Sequence, residues 1–248
     1  MTALRTALAF LTRLPGGRHP ENGEQLTASV PWFGVVGLVV GALGAAVFWL
    51  AHQLELGPWI PAVAALTVTG LATGGFHEDG LADSFDALAG GWTVEDRLRI
   101  LKDSRHGTFG VLAIVLITAW KFGALAALDA TDGAVALVVA HTMGRSAAVA
   151  LMGTFPSARN VGLGADYTRD LRPLPTAVGA SVGVVASVVA YGLWAPVVLI
   201  PAVAGAAAVG WWALRKIHGV TGDLLGAAEQ VAEALVLVAA VWLANNVT

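Results

Sequence analysis

The sequence contains no cysteine and few charged residues. The absence of cysteine excludes disulfides, thiolate metal ligands and cysteine nucleophiles. Only 12% of the 248 residues are charged, whereas soluble domains carry roughly 25%. Such a chain lacks the charge to coat itself in water, and its mean hydropathy of +0.72 indicates the same.

Several familiar signatures are also missing. The formal net charge of −3 gives no reason to expect nucleic acid as a partner. The chain has no Walker A sequence, no G-x-S-x-G nucleophile elbow, no H-E-x-x-H zinc motif and no dinucleotide-binding fingerprint. We expect no cleavable signal peptide, because two arginines interrupt the first stretch, Met1–Leu14, instead of preceding an apolar run.

Seven apolar stretches approach the roughly 20 residues that a membrane-spanning helix needs. They are Val30–Ala51, Pro58–Phe76, Phe109–Leu128, Ala134–Phe155, Thr176–Trp194, Val197–Leu214 and Val231–Ala244. We therefore predict an all-α, polytopic membrane protein with about seven transmembrane helices, forming a single catalytic domain over residues 1–248. Only two residues separate the fifth and sixth stretches, which indicates a tight hairpin.

The distribution of lysine and arginine predicts the orientation. Basic residues occur before the first span and between spans two and three, four and five, and six and seven. With seven spans these segments all fall on one side, which the positive-inside rule assigns to the cytoplasm. We therefore expect a cytoplasmic N-terminus. Met1–Leu14 is typical of an interfacial helix, with Pro15 as its stop.

Three aspartates form the most distinctive polar feature. Asp79, Asp83 and Asp86 follow the second span at positions i, i+4 and i+7, so at about 100° per residue they share one helical face. Like charges on one face repel each other, whereas Mg²⁺ prefers carboxylate oxygens and keeps positions open for substrate phosphates. A solvated acidic face is the alternative; we favour a magnesium site.

The segment before the third span has the composition of a phosphate site. Glycines before a helix, such as Gly107, leave N–H groups free for an anion, and Lys102 and Arg105 supply cationic ligands. Asp103 is either a further metal ligand or a residue that orients Arg105. Together with Ser104, these residues are candidates for substrate binding, although an ordinary positive-inside loop would also contain lysine and arginine.

Two basic residues fall inside predicted spans. Lys121 and Arg145 cost at least a few kcal/mol each within a bilayer. Pairing with an intramembrane acid is one explanation, but no span offers an acid at matching depth. We therefore expect both residues to face a polar, substrate-binding cavity that opens toward the cytoplasm.

Two further segments on the cytoplasmic side contain candidate ligands. Thr221, Asp223 and Glu233 precede or begin the last span and are candidates for contact with substrate or metal. The simpler interpretation is that Thr221 caps a helix with Asp223 in its first turn. The glycine-rich loop Arg159–Asp166 is either a substrate contact or a flexible connector.

Several of these segments resemble the adenosylcobinamide-GDP ribazoletransferase family, also called cobalamin-5′-phosphate synthase. The matching segments are Phe10–Pro15, Gly74–Asp83 with Asp86, Lys102–Arg105 with Gly107 and Gly110, and Thr221–Gly226. Two positions depart from the family pattern. Ala87 replaces a usual glycine, and Gln230 stands where the family tends to have glutamate.

The resemblance implies an enzyme of the bacterial inner membrane with a cytoplasmic active site and a Mg²⁺ cofactor. A hydroxyl of α-ribazole, or of its 5′-phosphate, would attack the phosphate on the aminopropanol arm of adenosylcobinamide-GDP and release GMP. The product would be adenosylcobalamin or its 5′-phosphate. Membrane lipids would surround the enzyme, and a homo-oligomer is compatible with the sequence.

The resemblance also suggests roles for individual residues. Asp79 and Asp83 would be the primary metal ligands, with Asp86 as a further ligand or as the base. His77 is the other candidate for accepting the hydroxyl proton. The basic residues at positions 102 and 105 would stabilise charge during phosphoryl transfer.

Three other classes of membrane protein remain as alternatives. CDP-alcohol phosphotransferases also use spaced aspartates, but an Ala-Arg pair would be expected soon after the Asp79-Gly80 step. Membrane prenyltransferases would be expected to show two aspartate-rich motifs on different helices. A transporter would place its binding residues near the bilayer midplane between repeats, and no repeat is visible here.

Overall fold

The computed structural model describes residues 2–17, 19–103, 105–158 and 171–247, and these ranges fold into α-helices. The helices are α1 (Ala3–Leu11), α2 (Gly23–Ser29), α3 (Phe33–Gln53), α4 (Trp59–Thr73), α5 (Phe76–Gly90), α6 (Val94–Ile100), α7 (Thr108–Ala126), α8 (Ala130–Thr154), α9 (Pro173–Tyr191), α10 (Ala195–Ile217) and α11 (Gly222–Asn246). The predicted all-α class is confirmed.

Five helical segments within these ranges are long and apolar enough to cross a membrane. They contain α3, α7, α8, the pair α9 and α10, and α11; a sixth arises if α4 and α5 together form one bent span. The prediction of a polytopic helical membrane protein is therefore confirmed. The number seven and the cytoplasmic position of the N-terminus stay predictions.

Helix α8 is the centre of the bundle and packs against α3, α9, α10 and α11. Thr176 at the start of α9 approaches Gly153 at the end of α8, whereas Tyr191 at the end of α9 lines a cavity with Asp132 at the start of α8. Gly210, late in α10, again approaches the end of α8. Helices α9 and α10 are therefore antiparallel, as the predicted hairpin requires.

The second predicted span stops early because two glycines turn the chain. Gly74 and Gly75 both have a φ of +69°, a left-handed conformation that side chains with a Cβ rarely adopt. Gly74 ends α4 and Gly75 precedes α5. The two helices consequently meet at 87°, so α5 lies across the bundle and carries the aspartates over the ends of its neighbours.

The N-terminal helix is also shorter than expected. Helix α1 ends at Leu11, four residues before Pro15, because the backbone becomes extended at Thr12, with φ −142° and ψ 165°. The hydroxyl of Thr12 donates a hydrogen bond to the carbonyl of Leu8 at 2.6 Å. The backbone N–H of Arg13 then donates to the carbonyl of Ala72 at 2.7 Å. This contact attaches the N-terminal segment to the end of α4.

Candidate active site

Helix α5 presents two aspartates to the loop that precedes α7. Asp79 and Asp83 are one helical turn apart, and the imidazole of His106 lies beside both. Its Nε2 is 3.7 Å from Asp79 Oδ1, and its Nδ1 is 3.5 Å from Asp83 Oδ1. One ligand atom from each residue lies within 4.8 Å of the other two. We call Asp79, Asp83 and His106 the acidic site.

The acidic site concentrates negative charge that the protein does not fully compensate. Burial, together with the nearby charges of Asp79 and Asp223, raises the pKa of the Asp83 carboxyl to about 6. Asp223 reaches this region from the first turn of α11. A divalent cation would relieve the repulsion, and carboxylate oxygens are the ligands that Mg²⁺ prefers. The residues present therefore fit the predicted metal.

Asp86 is directed instead toward the start of α7. Its Oδ2 accepts a hydrogen bond from the backbone N–H of Gly107 at 2.6 Å, and its Oδ1 accepts one from Gly110 at 2.9 Å. A carboxylate in this position also interacts favourably with the helix dipole. Because both oxygens are engaged, the geometry argues against Asp86 as a metal ligand or proton acceptor. It also argues against Gly107 as a phosphate ligand.

The loop before α7 contains an exposed ion pair. Arg105 donates from Nε to Asp103 Oδ1 at 2.9 Å and from Nη2 to Asp103 Oδ2 at 2.6 Å. These hydrogen bonds lower the pKa of Asp103 to about 2. Of the two predicted roles for Asp103, the orientation of Arg105 is the one the structure supports. Lys102 is exposed on the same loop, and Ser104 lies outside the described residues.

A second polar group lies inside the bundle and connects α7, α8 and α11. The carboxylate of Glu233 contacts Lys121, His141 and Arg145, and Glu229 also contacts Arg145. All of these side chains are buried. We call this group the buried ionic cluster; its members are Lys121, His141, Arg145, Glu229, Gln230 and Glu233.

This cluster overturns the expectation that no acid matches the two intramembrane cations in depth. Helix α11 begins at Gly222, so Glu233 lies eleven residues, or about 16 Å, along it. Lys121 lies thirteen residues, or about 20 Å, along α7, which starts at Thr108. The ion pairs therefore account for Lys121 and Arg145 in the membrane. The substrate-binding roles of Lys121, Arg145 and Glu233 stay predictions.

The buried ionic cluster also brings three metal-ligand types together. Atoms of His141, Glu229 and Glu233 lie within 4.8 Å of one another. However, the Arg145 guanidinium contacts both glutamates, and the Lys121 ammonium contacts Glu233. These cations already balance the two carboxylates, so we assign no metal to this group.

His77 belongs with the buried ionic cluster and not with the acidic site. Its Nδ1 is 3.4 Å from Arg145 Nη2 and 3.8 Å from Glu229 Oε1. It precedes Asp79 by two residues, which places it about 200° around α5. The side chain therefore faces the interior of the bundle, away from the acidic site, and the role of His77 as proton acceptor stays a prediction that this geometry does not favour.

The start of α11 agrees with the simpler sequence interpretation only in part. Thr221 occupies the position before the helix, but its hydroxyl donates to Asp223 Oδ2 at 3.3 Å and makes no capping bond to the backbone. Contact of Thr221 and Asp223 with substrate stays a prediction. The loop Arg159–Asp166 lies outside the described residues.

Two residues, one in the acidic site and one beside the buried ionic cluster, were not found from the sequence. His106 gave no signal of its own, although its place beside Gly107 in the loop before α7 could have suggested contact with the acidic helix. Nothing in the sequence distinguished Glu78 from the adjacent Asp79, to which the metal-site prediction was assigned. The structure turns Glu78 inward, where its Oε1 accepts a hydrogen bond from Gln230 at 3.3 Å.

Comparison with known proteins identifies the family to which the chain belongs. The profile of a family described as cobalamin-5-phosphate synthase matches residues 3–241. The chain belongs to the cobalamin-5-phosphate synthase family. Proteins named adenosylcobinamide-GDP ribazoletransferase from Shewanella oneidensis and Shewanella sp. strain W3-18-1 are each 38% identical over 92% of this chain and 88% of their own length. A relative of the same name from Shewanella sp. strain ANA-3 is 39% identical with the same coverage. No solved structure matches.

Membership of the cobalamin-5-phosphate synthase family confirms the predicted family and covers nearly the whole chain. It favours an enzyme over a transporter, and it favours corrinoid assembly over the lipid and isoprenoid chemistry of the alternative classes.

Proposed function

We propose that this chain joins adenosylcobinamide-GDP to α-ribazole, or to α-ribazole 5′-phosphate, and releases GMP. The names of its relatives support the substrates. The observation that carries the chemistry is the proximity of the Asp79 and Asp83 carboxylates beneath a cationic loop. A ribose hydroxyl oxygen forms the new bond to phosphorus, and the bond from that phosphorus to the oxygen of GMP breaks.

Asp79 and Asp83 would hold Mg²⁺ at the acidic site. When bound, Mg²⁺ supplies charge neutralisation for the diphosphate and for the departing GMP. His106 lies within 3.7 Å of both carboxylates and would keep them in position. Asp79 is 65% exposed, so its carboxylate oxygen that does not hold the metal would accept the hydroxyl proton and pass it to solvent.

Arg105 and Lys102 would provide the remaining positive charge for the diphosphate. The bidentate pair with Asp103 fixes the guanidinium plane of Arg105, which leaves its outer N–H groups for phosphate oxygens. Because the pair is exposed, Arg105 can release Asp103 and bind a substrate phosphate without leaving a buried, unpaired charge. Phosphoryl transfer requires mainly this kind of positioning and charge stabilisation.

The site would lie at the cytoplasmic face of the bacterial inner membrane. Arg97, Arg99, Lys102 and Arg105 are concentrated in the segment between α5 and α7, as the positive-inside rule expects for a cytoplasmic connection. Both the acidic site and this segment lie at the same end of α7.

The direct test is release of GMP by the purified protein in detergent, with adenosylcobinamide-GDP, α-ribazole and Mg²⁺. We expect GMP and a corrinoid product in equal amounts, no release without metal, and no release from Asp83→Asn. Glu95→Gln provides the matched control, because Glu95 is an exposed acid in the neighbouring helix α6. Turnover by Asp83→Asn equal to that of the wild type would refute the assignment.

A further inference from the structure

A polar cavity lies beside Glu78 of α5, which precedes Asp79 by one residue and therefore points about 100° away from it around the helix. It has a volume of about 230 Å³, enough for several water molecules or one small polar arm of a larger molecule. Helices α4, α5, α7, α8 and α11 all contribute to its wall. The polar lining residues are Thr69, Thr73, Glu78, Thr118, Lys121, His141, Arg145 and Gln230.

Two atoms of the lining side chains remain unsatisfied. Arg145 is only 2% exposed, and its Nε has no hydrogen-bond partner among the described residues. Glu78 Oε2 is likewise buried without a partner among them. A buried polar group without a partner costs about 1–3 kcal/mol. Both side chains line the cavity, but each of these two atoms has less than 1 Å² of accessible surface, so each side chain would have to turn toward the cavity to offer its donor or acceptor to an occupant.

The charges around the cavity select against an ionic occupant. Lys121 and Arg145 would repel a cation, and both are already paired with glutamates of α11. Glu78 on the opposite wall would repel an anion. A neutral group that both accepts and donates hydrogen bonds matches the two unsatisfied atoms without adding charge.

We infer that this cavity binds a neutral hydrogen-bonding group of the substrate, and the inference rests on the proposed function. Two sources offer this chemistry: a carboxamide side chain of the corrinoid, or the hydroxyl groups of the riboside. The volume admits such an arm but not a corrin ring. The cavity thus serves as an anchoring subsite beside α5, the helix that carries the acidic site.

A glycine at the cavity wall allows the subsite to be closed selectively. Gly70 lines the cavity within α4, and a Cβ added there would meet no atom within 4 Å. Leucine at this position would therefore fill the cavity without displacing the backbone. Gly123 of α7 also has no atom within 4 Å of an added Cβ, but it lines an apolar groove elsewhere. Gly123→Leu is the matched control.

The experiment measures equilibrium binding of adenosylcobinamide-GDP and of α-ribazole separately, without Mg²⁺, by calorimetry on the detergent-solubilised full chain. The variants are Gly70→Ala, Gly70→Val and Gly70→Leu, together with Gly123→Leu. We expect the affinity for one substrate to fall progressively with side-chain size, by about tenfold or more for leucine, as hydrogen bonds to the arm are lost. The other substrate and the control should change by less than about threefold.

Each outcome decides the inference. Weaker binding of adenosylcobinamide-GDP places a neutral group of the corrinoid substrate in the cavity, and weaker binding of α-ribazole places the riboside hydroxyls there. Unchanged affinities throughout the Gly70 series would mean that the cavity holds only water and would overturn the inference, whereas binding of neither substrate by the wild type would contradict the proposed function and the inference with it. The melting temperature of each variant reports folding, and the alanine and valine variants keep the test valid if leucine unfolds the protein. Binding without GMP release would instead contradict the proposed function.

Discussion

Replacement of Asp83 by asparagine should stabilise the metal-free protein while it removes activity. The raised pKa of Asp83, about 6 against an ordinary 3.8, means that the ionised carboxylate is disfavoured in the folded state. Two pKa units correspond to about 3 kcal/mol. Because the side chain is still 16% exposed and borders solvent, screening reduces this to about 1–2 kcal/mol. Asparagine has no charge and avoids the penalty.

The pH dependence has a defined sign. A pKa that is higher in the folded than in the unfolded state makes wild-type stability fall as pH rises from about 4 to about 6. Above that range the penalty is fully present, and below it the wild type and Asp83→Asn should be equally stable. At pH 7 the variant should melt roughly 2–8 °C higher in the absence of metal.

The assay is thermal unfolding in detergent, followed by tryptophan fluorescence with and without Mg²⁺. Saturating Mg²⁺ should raise the melting temperature of the wild type and leave that of Asp83→Asn unchanged, so that the order of the two proteins reverses. Glu95→Gln should behave like the wild type throughout. A metal-free Asp83→Asn that melts below the wild type at pH 7 would refute the electrostatic reasoning.

Three further predictions concern neighbouring residues. Glu233→Gln should lower the melting temperature substantially, since removal of one partner from a buried ion pair costs about 3–5 kcal/mol; an unchanged melting curve would show that the cluster is not ionised as described. Asp86→Asn should cost about 1–2 kcal/mol of stability with Mg²⁺ affinity retained, measured by melting and by calorimetric titration, and loss of metal binding would restore Asp86 as a ligand. His106→Ala should weaken Mg²⁺ binding by roughly 10–100-fold in the same titration, and an unaltered affinity would exclude a positioning role.

The helices were predictable because a membrane span has a simple requirement of length and hydropathy. The stretches around α3, α7 and α8 were located within a few residues of the observed helices. The last span was placed too late, at Val231, because Asp223 and Glu229 lowered the local hydropathy of a helix that starts at Gly222. That error moved Glu233 to the membrane edge and hid its pairing with Lys121.

The acidic site was only partly predictable. Helical spacing placed Asp79, Asp83 and Asp86 on one face. However, spacing along one helix cannot show which of these side chains a neighbouring segment binds. Two backbone N–H groups at the start of α7 bind Asp86, and the loop before α7 contributes His106 to the acidic site. Contacts of this kind depend on the 87° bend between α4 and α5, which brings α5 over the ends of the other helices.

Electron paramagnetic resonance of Mn²⁺ in place of Mg²⁺ would test most directly whether the carboxylates of α5 hold a metal against the substrate diphosphate. With adenosylcobinamide-GDP bound, the account predicts hyperfine coupling between Mn²⁺ and phosphorus in the wild type and in Glu95→Gln, and none in the double variant Asp79→Asn, Asp83→Asn. Phosphorus coupling of equal strength in the double variant, or its absence from the wild type, would contradict the account.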